Sequence, residues 1–99
     1  MDVLIIGRSK GAVDTAATRL HALGFTARGV TTDHEALAAL DTERFGTLLI
    51  GGGVERNSRI PLKASAARHG VTVLEARRNG RDIDTYLREV VLPVLRERA

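Results

Sequence analysis

The sequence predicts an α/β fold, a three-layer αβα sandwich around a four-stranded parallel sheet in the order 2-1-3-4. Three observations carry this expectation. Short apolar runs alternate along the chain with longer amphipathic stretches. The third run, Thr47-Leu48-Leu49-Ile50, is almost wholly apolar, as a strand buried on both faces requires. The connections are short, so consecutive strands are joined by crossover helices and run parallel, each crossover right-handed. The 99 residues are read as a single βαβαβαβα domain spanning 1–99.

The first strand is expected over Val3–Ile6 and ends at Gly7. A helix follows from about Lys10 to Leu23, with Val13, Ala16, Ala17, Leu20 and Leu23 at helical spacing. Ser9 is its expected N-cap, and Gly24 stands where a left-handed residue closes a helix. The second strand is expected over Phe25–Val30, and its polar alternation at Thr26 and Arg28 suits a sheet edge. Thr32-Asp33-His34-Glu35 reads as a capping box, opening a helix that buries Ala36, Leu37 and Leu40. After the third strand come three glycines. A third helix is then expected from a cap at Asn57 or Ser58 to about His69, with Pro61 in its first turn and Gly70 as its stop. The fourth strand is expected over Val71–Leu74, reaching as far as Ala76. Arg77–Arg81 reads as a polar loop with an Asn79-Gly80 turn. The last helix runs from about Asp82 to Arg96 on an apolar stripe from Ile83 to Leu95, and Pro93 predicts a kink or early fraying.

Composition excludes several classes of function. Cysteine is absent, which removes disulfides, iron–sulfur clusters and thiol catalysis. No apolar run approaches the roughly 20 residues of a membrane span, and no secretory leader is read at the N-terminus, so no membrane association and a cytoplasmic location are expected. The formal net charge is +3, and 13 of the 15 basic residues are Arg, a bias that a GC-rich genome would also produce. Nucleic acid is not an expected partner, because Phe25, Phe45 and Tyr86 are the only aromatic rings and supply no stacking platform. Arg77, Arg78 and Arg81 form the densest basic patch. His21, His34 and His69 fall on separate helices with no second ligand at helical spacing, so no metal site is expected.

A parallel sheet of this order binds ligands beyond the carboxyl ends of its strands, where the first and third strands lie side by side. Two loops there are candidate ligand-binding segments. Gly7, Arg8, Ser9, Lys10 and Gly11 lead from a strand into a helix N-terminus, whose free amides attract anions. The same five residues also read as a tight turn capped by Ser9. They are not a P-loop, because Lys10 precedes the second glycine. They match G-x-S-x-G, but they follow the first strand instead of several earlier ones, so Ser9 is not read as a nucleophile. Gly51, Gly52 and Gly53 form the second segment. Three glycines there imply positive φ or a close approach, either to a ligand or to the first loop. Glu55, Arg56 and Asn57 share that edge. No catalytic residue and no cofactor are expected, and the acidic residues of the first helical turns read as dipole-stabilising.

Two resemblances bear on function. Residues 3–30, with Gly7-x-x-x-Gly11, resemble the opening of short-chain dehydrogenases. Val13 stands where that family's pattern has a further glycine, the second strand ends without an acidic residue, and the Tyr-x-x-x-Lys pair is missing, since Val90 follows Tyr86 at that spacing. Residues 2–54 resemble the first half of a response-regulator receiver domain. The resemblance is carried by Thr32-Asp33-His34-Glu35-Ala36-Leu37 and by Phe45-Gly46-Thr47-Leu48-Leu49-Ile50. It implies a flavodoxin-like, Rossmann-like fold. Where that family has its acidic pair, this chain has Gly7 and Arg8. Gly51 replaces the phosphoacceptor Asp, about Glu75 replaces the hydroxyl residue, and no fifth strand with a Lys follows. The resemblance therefore implies a degenerate receiver-like domain without phosphotransfer.

Together these readings give the expectation of a non-catalytic regulatory or protein-interaction module, with a protein partner or a second copy (a homodimer) as its partner. The alternative is a phosphate- or nucleotide-binding protein using Gly7–Gly11 and Gly51–Gly53. The apolar stripe of the last helix is expected to exceed what one sheet face covers, which would favour self-association.

Overall fold

The computed structural model describes residues 1–76 and 83–98, apart from the side chains of 83, 84 and 98. Four parallel strands form one sheet in the order β2-β1-β3-β4. They are β1 (Val3–Ile6), β2 (Ala27–Val30), β3 (Thr47–Ile50) and β4 (Thr72–Glu75). Val3 aligns with both Ala27 and Thr47, and Thr47 with Thr72, so the four strands are in step. Helix α1 spans Lys10–Ala22, α2 Asp33–Thr42 and α3 Arg56–Arg68. The C-terminal helix α4 is built of Ile83–Tyr86, a π-helical turn over Leu87–Val91, and Leu92–Arg98.

The sheet divides the core into two layers. Leu4, Ile6, Leu48 and Ile50 pack on one face with Ala36, Ala39 and Leu40 of α2 and Leu62 and Ala66 of α3. Val3, Ile5 and Leu49 pack on the other with Val13, Ala16 and Leu20 of α1 and Leu87, Val91 and Leu95 of α4. Alternation along β1 and β3 assigns each side chain to its layer. These two strands are buried at every position, as central strands of a parallel sheet should be. Within the α4 stripe Leu87, Val91 and Leu95 are buried, while Tyr86, Val90 and Val94 remain partly exposed.

Helix ends follow local chemistry closely. Ser9 Oγ accepts from the Ala12 amide at 3.3 Å, and Thr32 Oγ1 accepts from the Glu35 amide at 3.2 Å. The Thr32 hydroxyl also donates to Glu35 Oε1 at 2.9 Å, so the carboxylate partners the hydroxyl in this capping pair. Both α1 and α3 close with the same double bond around a positive-φ glycine. Gly24 (φ 94°) donates to the His21 carbonyl and Phe25 to that of Leu20; Gly70 (φ 68°) donates to Ala67 and Val71 to Ala66.

Several details differ from the sequence expectation. β2 starts at Ala27 because the Phe25 amide is spent closing α1 and Thr26 is bonded to the Asp2 carboxylate at 2.8 Å. α3 begins at Arg56, with Glu55 rather than Asn57 or Ser58 at its cap and no side-chain cap bond. Pro61 therefore sits inside the helix, past the first turn, and removes the donor that would meet the Asn57 carbonyl. At Pro93 the expected interruption takes the form of the π-helical turn, where the Leu92 amide reaches back to the Leu87 carbonyl. The Asn79-Gly80 turn, the Arg77, Arg78 and Arg81 patch, and the expected start of the last helix at Asp82 lie outside the described residues.

β2 directs the Thr26 and Val30 carbonyls to β1, so Ala27 turns its own backbone groups outward. His21 Nε2 lies 3.1 Å from the Ala27 nitrogen and 3.0 Å from its oxygen. It accepts from the amide when bare and donates to the carbonyl when protonated.

Candidate functional site

The ends of β1 and β3 bring the two glycine-bearing loops into contact. The Gly51 amide donates to the Ile6 carbonyl at 2.7 Å. A Cβ on Gly51 would stand 3.2 Å from that oxygen and 3.3 Å from the Gly7 Cα. Backbone meets backbone here, so Gly51 is explained by the close approach of the first loop. None of the three glycines has positive φ; among the described residues that conformation belongs to Gly24 and Gly70. The Val54 amide closes a turn onto the Gly51 carbonyl at 3.1 Å, with Gly52 and Gly53 between them.

The glycines around α1 serve packing in a similar way. A Cβ on Gly7 would lie 2.9 Å from Val13 Cγ2, and one on Gly29 only 2.2 Å from Val13 Cγ1. Val13 occupies the place of the missing helical glycine, and the two strands make room for it instead. Gly11 is different: its nearest neighbour to a Cβ would be Ser9 Oγ at 3.9 Å. Nothing packed against Gly11 requires a glycine. Ser9 caps the helix, and Lys10 pairs with Asp14 at 2.8 Å, which raises the lysine's pKa.

Arg8 is the centre of the site. Its Nε donates to Glu55 Oε1 at 3.1 Å, and its Nη1 to the Thr31 carbonyl at 2.9 Å. Its Nη2 reaches Asp33 Oδ1 at 2.7 Å, Glu55 Oε2 at 2.9 Å and Ser58 Oγ at 3.0 Å. The Ser58 hydroxyl donates to Asp33 Oδ2 at 2.5 Å. One cation thus faces two carboxylates, and Glu55 holds it in a bidentate grip. The Ser58 hydroxyl and then the guanidinium hold the Asp33 carboxyl below its ordinary range. Arg8 draws the Glu55 carboxyl down to about 2, and Glu55 and then Asp33 raise Arg8 in turn.

A second arginine, which the sequence reading did not single out, holds the glycine turn from the other side. Arg59 Nη2 donates to the Gly51 carbonyl at 2.9 Å and Nε to the Val54 carbonyl at 2.9 Å. Its Nη1 reaches Glu75 Oε1 at 3.1 Å, and Lys63 reaches Glu75 Oε2 at 3.2 Å. Arg59, then Lys63, depresses the Glu75 carboxyl. The only available signal was Arg59 standing one turn after Glu55 in a helix aimed at this edge. Of the eight candidate residues, Gly7, Arg8 and Gly51 meet at the β1/β3 boundary. Ser9, Lys10 and Gly11 are exposed on the first turn of α1, and Gly52 and Gly53 form the tip of the neighbouring turn. Among the described residues, no group of three or more His, Cys, Asp or Glu side chains is placed to hold a metal ion.

No protein-family model and no curated protein matches the chain. Its fold is similar to that of a de novo designed Rossmann-fold protein, with TM-score 0.58 and 16% identity over 92% of this chain and 95% of that one. At this identity the likeness concerns architecture alone. Among the described residues, no helix is long and apolar enough to cross a membrane.

Proposed function

We propose that this chain is a non-catalytic protein-interaction module, of the receiver-like kind, that acts through its surfaces. The observation that carries the reading is the Arg8 cluster. At the sheet edge where a ligand would be held, every nitrogen of the guanidinium already has a protein partner, and two carboxylates outnumber the single cation. An anion arriving there would have to displace Glu55 or Asp33 from a charge-assisted, partly bidentate contact. A divalent cation would have to displace Arg8. The cluster supports a scaffold held in one state by its own side chains, and it supplies neither a free nucleophile nor a base with a partner to act on.

A phosphate- or nucleotide-binding reading draws on one observation, the exposed and uncrowded Gly11 at the start of α1, where helix amides face outward. The two readings part under titration with inorganic phosphate, ATP, GTP and NAD, followed by amide chemical shifts. The interaction-module reading expects no shift at Gly7–Gly11 or Gly51–Gly53 at millimolar concentration. Saturable shifts confined to those loops would overturn it.

A further inference from the structure

We propose that the outer face of α3 docks an acidic amphipathic helix of a partner protein. The proposal rests on the interaction-module reading and names the chemistry of the partner. Ile60 is the most exposed large apolar side chain of the described residues, at 63%. It lies on a thirteen-residue helix, with Ala64 one turn on and Ala67 two turns on, and all three are exposed. Helical spacing puts Arg56 and Lys63 on one flank of this stripe and Arg68 on the other.

The charge on this face is one-sided. α3 contains four basic residues and no acidic one. Arg59 and Lys63 are paired with Glu75, but Arg56 and Arg68 have no ion-pair partner among the described residues. Arg68 is accounted for by the helix C-terminus. Arg56 is not, because it opens the helix, where the dipole disfavours a cation. Arg56 and Arg68 stand about 18 Å apart along the axis, with the apolar stripe between them. An apolar centre rimmed by cations complements a helix that carries an apolar stripe rimmed by carboxylates. A second copy of this chain fits poorly through the same face, since it would set arginine against arginine. A nucleic-acid backbone would use the cations but would leave Ile60 without a role.

The test uses the full chain and a pool of about 18-residue peptides, long enough to hold a helix, in which Glu and Asp surround a Leu or Phe stripe. Matching pools carry Gln or Lys in place of the acids, and a short DNA duplex serves as a polyanion without an apolar stripe. The expected result is saturable amide shifts centred on residues 60–67 with the acidic pool only. I60S, and separately R56E combined with R68E, should weaken this binding by about tenfold or more. L23S, at another exposed apolar residue, should leave it unchanged, and thermal melts by circular dichroism confirm that each variant is folded. The proposal is overturned if the acidic pool shifts nothing on α3, if the Gln or Lys pool binds equally well, if I60S binds like the parent, or if the duplex competes for the face regardless of Ile60. Peptide shifts elsewhere on the surface would sink this site and leave the interaction-module reading standing. Nucleotide shifts in the glycine loops would do the reverse.

Discussion

Arg8 was legible in the sequence as a cation at a ligand-binding edge, but its state was not. Its partners Asp33 and Glu55 lie 25 and 47 residues away, and only the fold brings them together. The consequence for pH follows from the direction of the shifts. Both carboxyls titrate lower when folded, so their contribution is full above the ordinary carboxylate range and is lost as pH falls. For Glu55 the window runs from its usual 4.5 down to about 2. R8Q should lower stability at neutral pH by about 1–2 kcal/mol, discounted for the partial exposure of the cluster. It should also flatten the acid limb of the stability curve, read by urea unfolding from pH 6 to pH 2. Gly29 offers a second single-residue test. An added methyl collides with a β-branched side chain that has one favoured rotamer in a helix, so G29A should cost about 1–3 kcal/mol. In the V13A background the penalty should shrink, giving a non-additive double-mutant cycle in chemical denaturation.

At the scale of elements, strand order, the Ser9 and Thr32 caps and the glycine stops at 24 and 70 could all be read locally. The caps and stops depend on residues within one turn of the boundary, and the strand order on the alternation of elements along the chain. The start of α3 could not, because its residue types mislead: Asn57 and Ser58 look like caps, yet Ser58 is committed to Asp33 and Arg8 across the site. The two residues should therefore separate on truncation. N57A, at an exposed position, should change stability by no more than about 0.5 kcal/mol. S58A should cost about 1–2 kcal/mol through its lost bond to a charged group. Equal losses in thermal melts would show that a cap had been misassigned. Arg59 escaped the sequence reading for a related reason: two of its three contacts are to backbone carbonyls of the glycine turn, which leave no mark on side-chain patterns.

At the scale of the molecule, two apolar layers share one sheet, and neither can persist without it. Leu20 and Leu62 are both fully buried, on opposite faces. L20A and L62A should each remove about 2–5 kcal/mol, and the double variant should lose the sum to within about 0.5 kcal/mol, because the sites share no partner. Circular dichroism and Tyr86 fluorescence should trace one unfolding transition; separated transitions would mean that the layers melt independently. Among the described residues β2 and β4 are the edge strands of the sheet, and an unpaired edge of a parallel sheet is a template for accretion. On the β2 flank the imidazole of His21 sits against both outward peptide groups of Ala27, so an incoming strand finds Gly29 as its remaining foothold. Cross-β growth needs a run of about six free peptides. Four residues of β2 fall short of that run, and a single ring from the adjoining helix occupies one of the two outward-facing residues that remain.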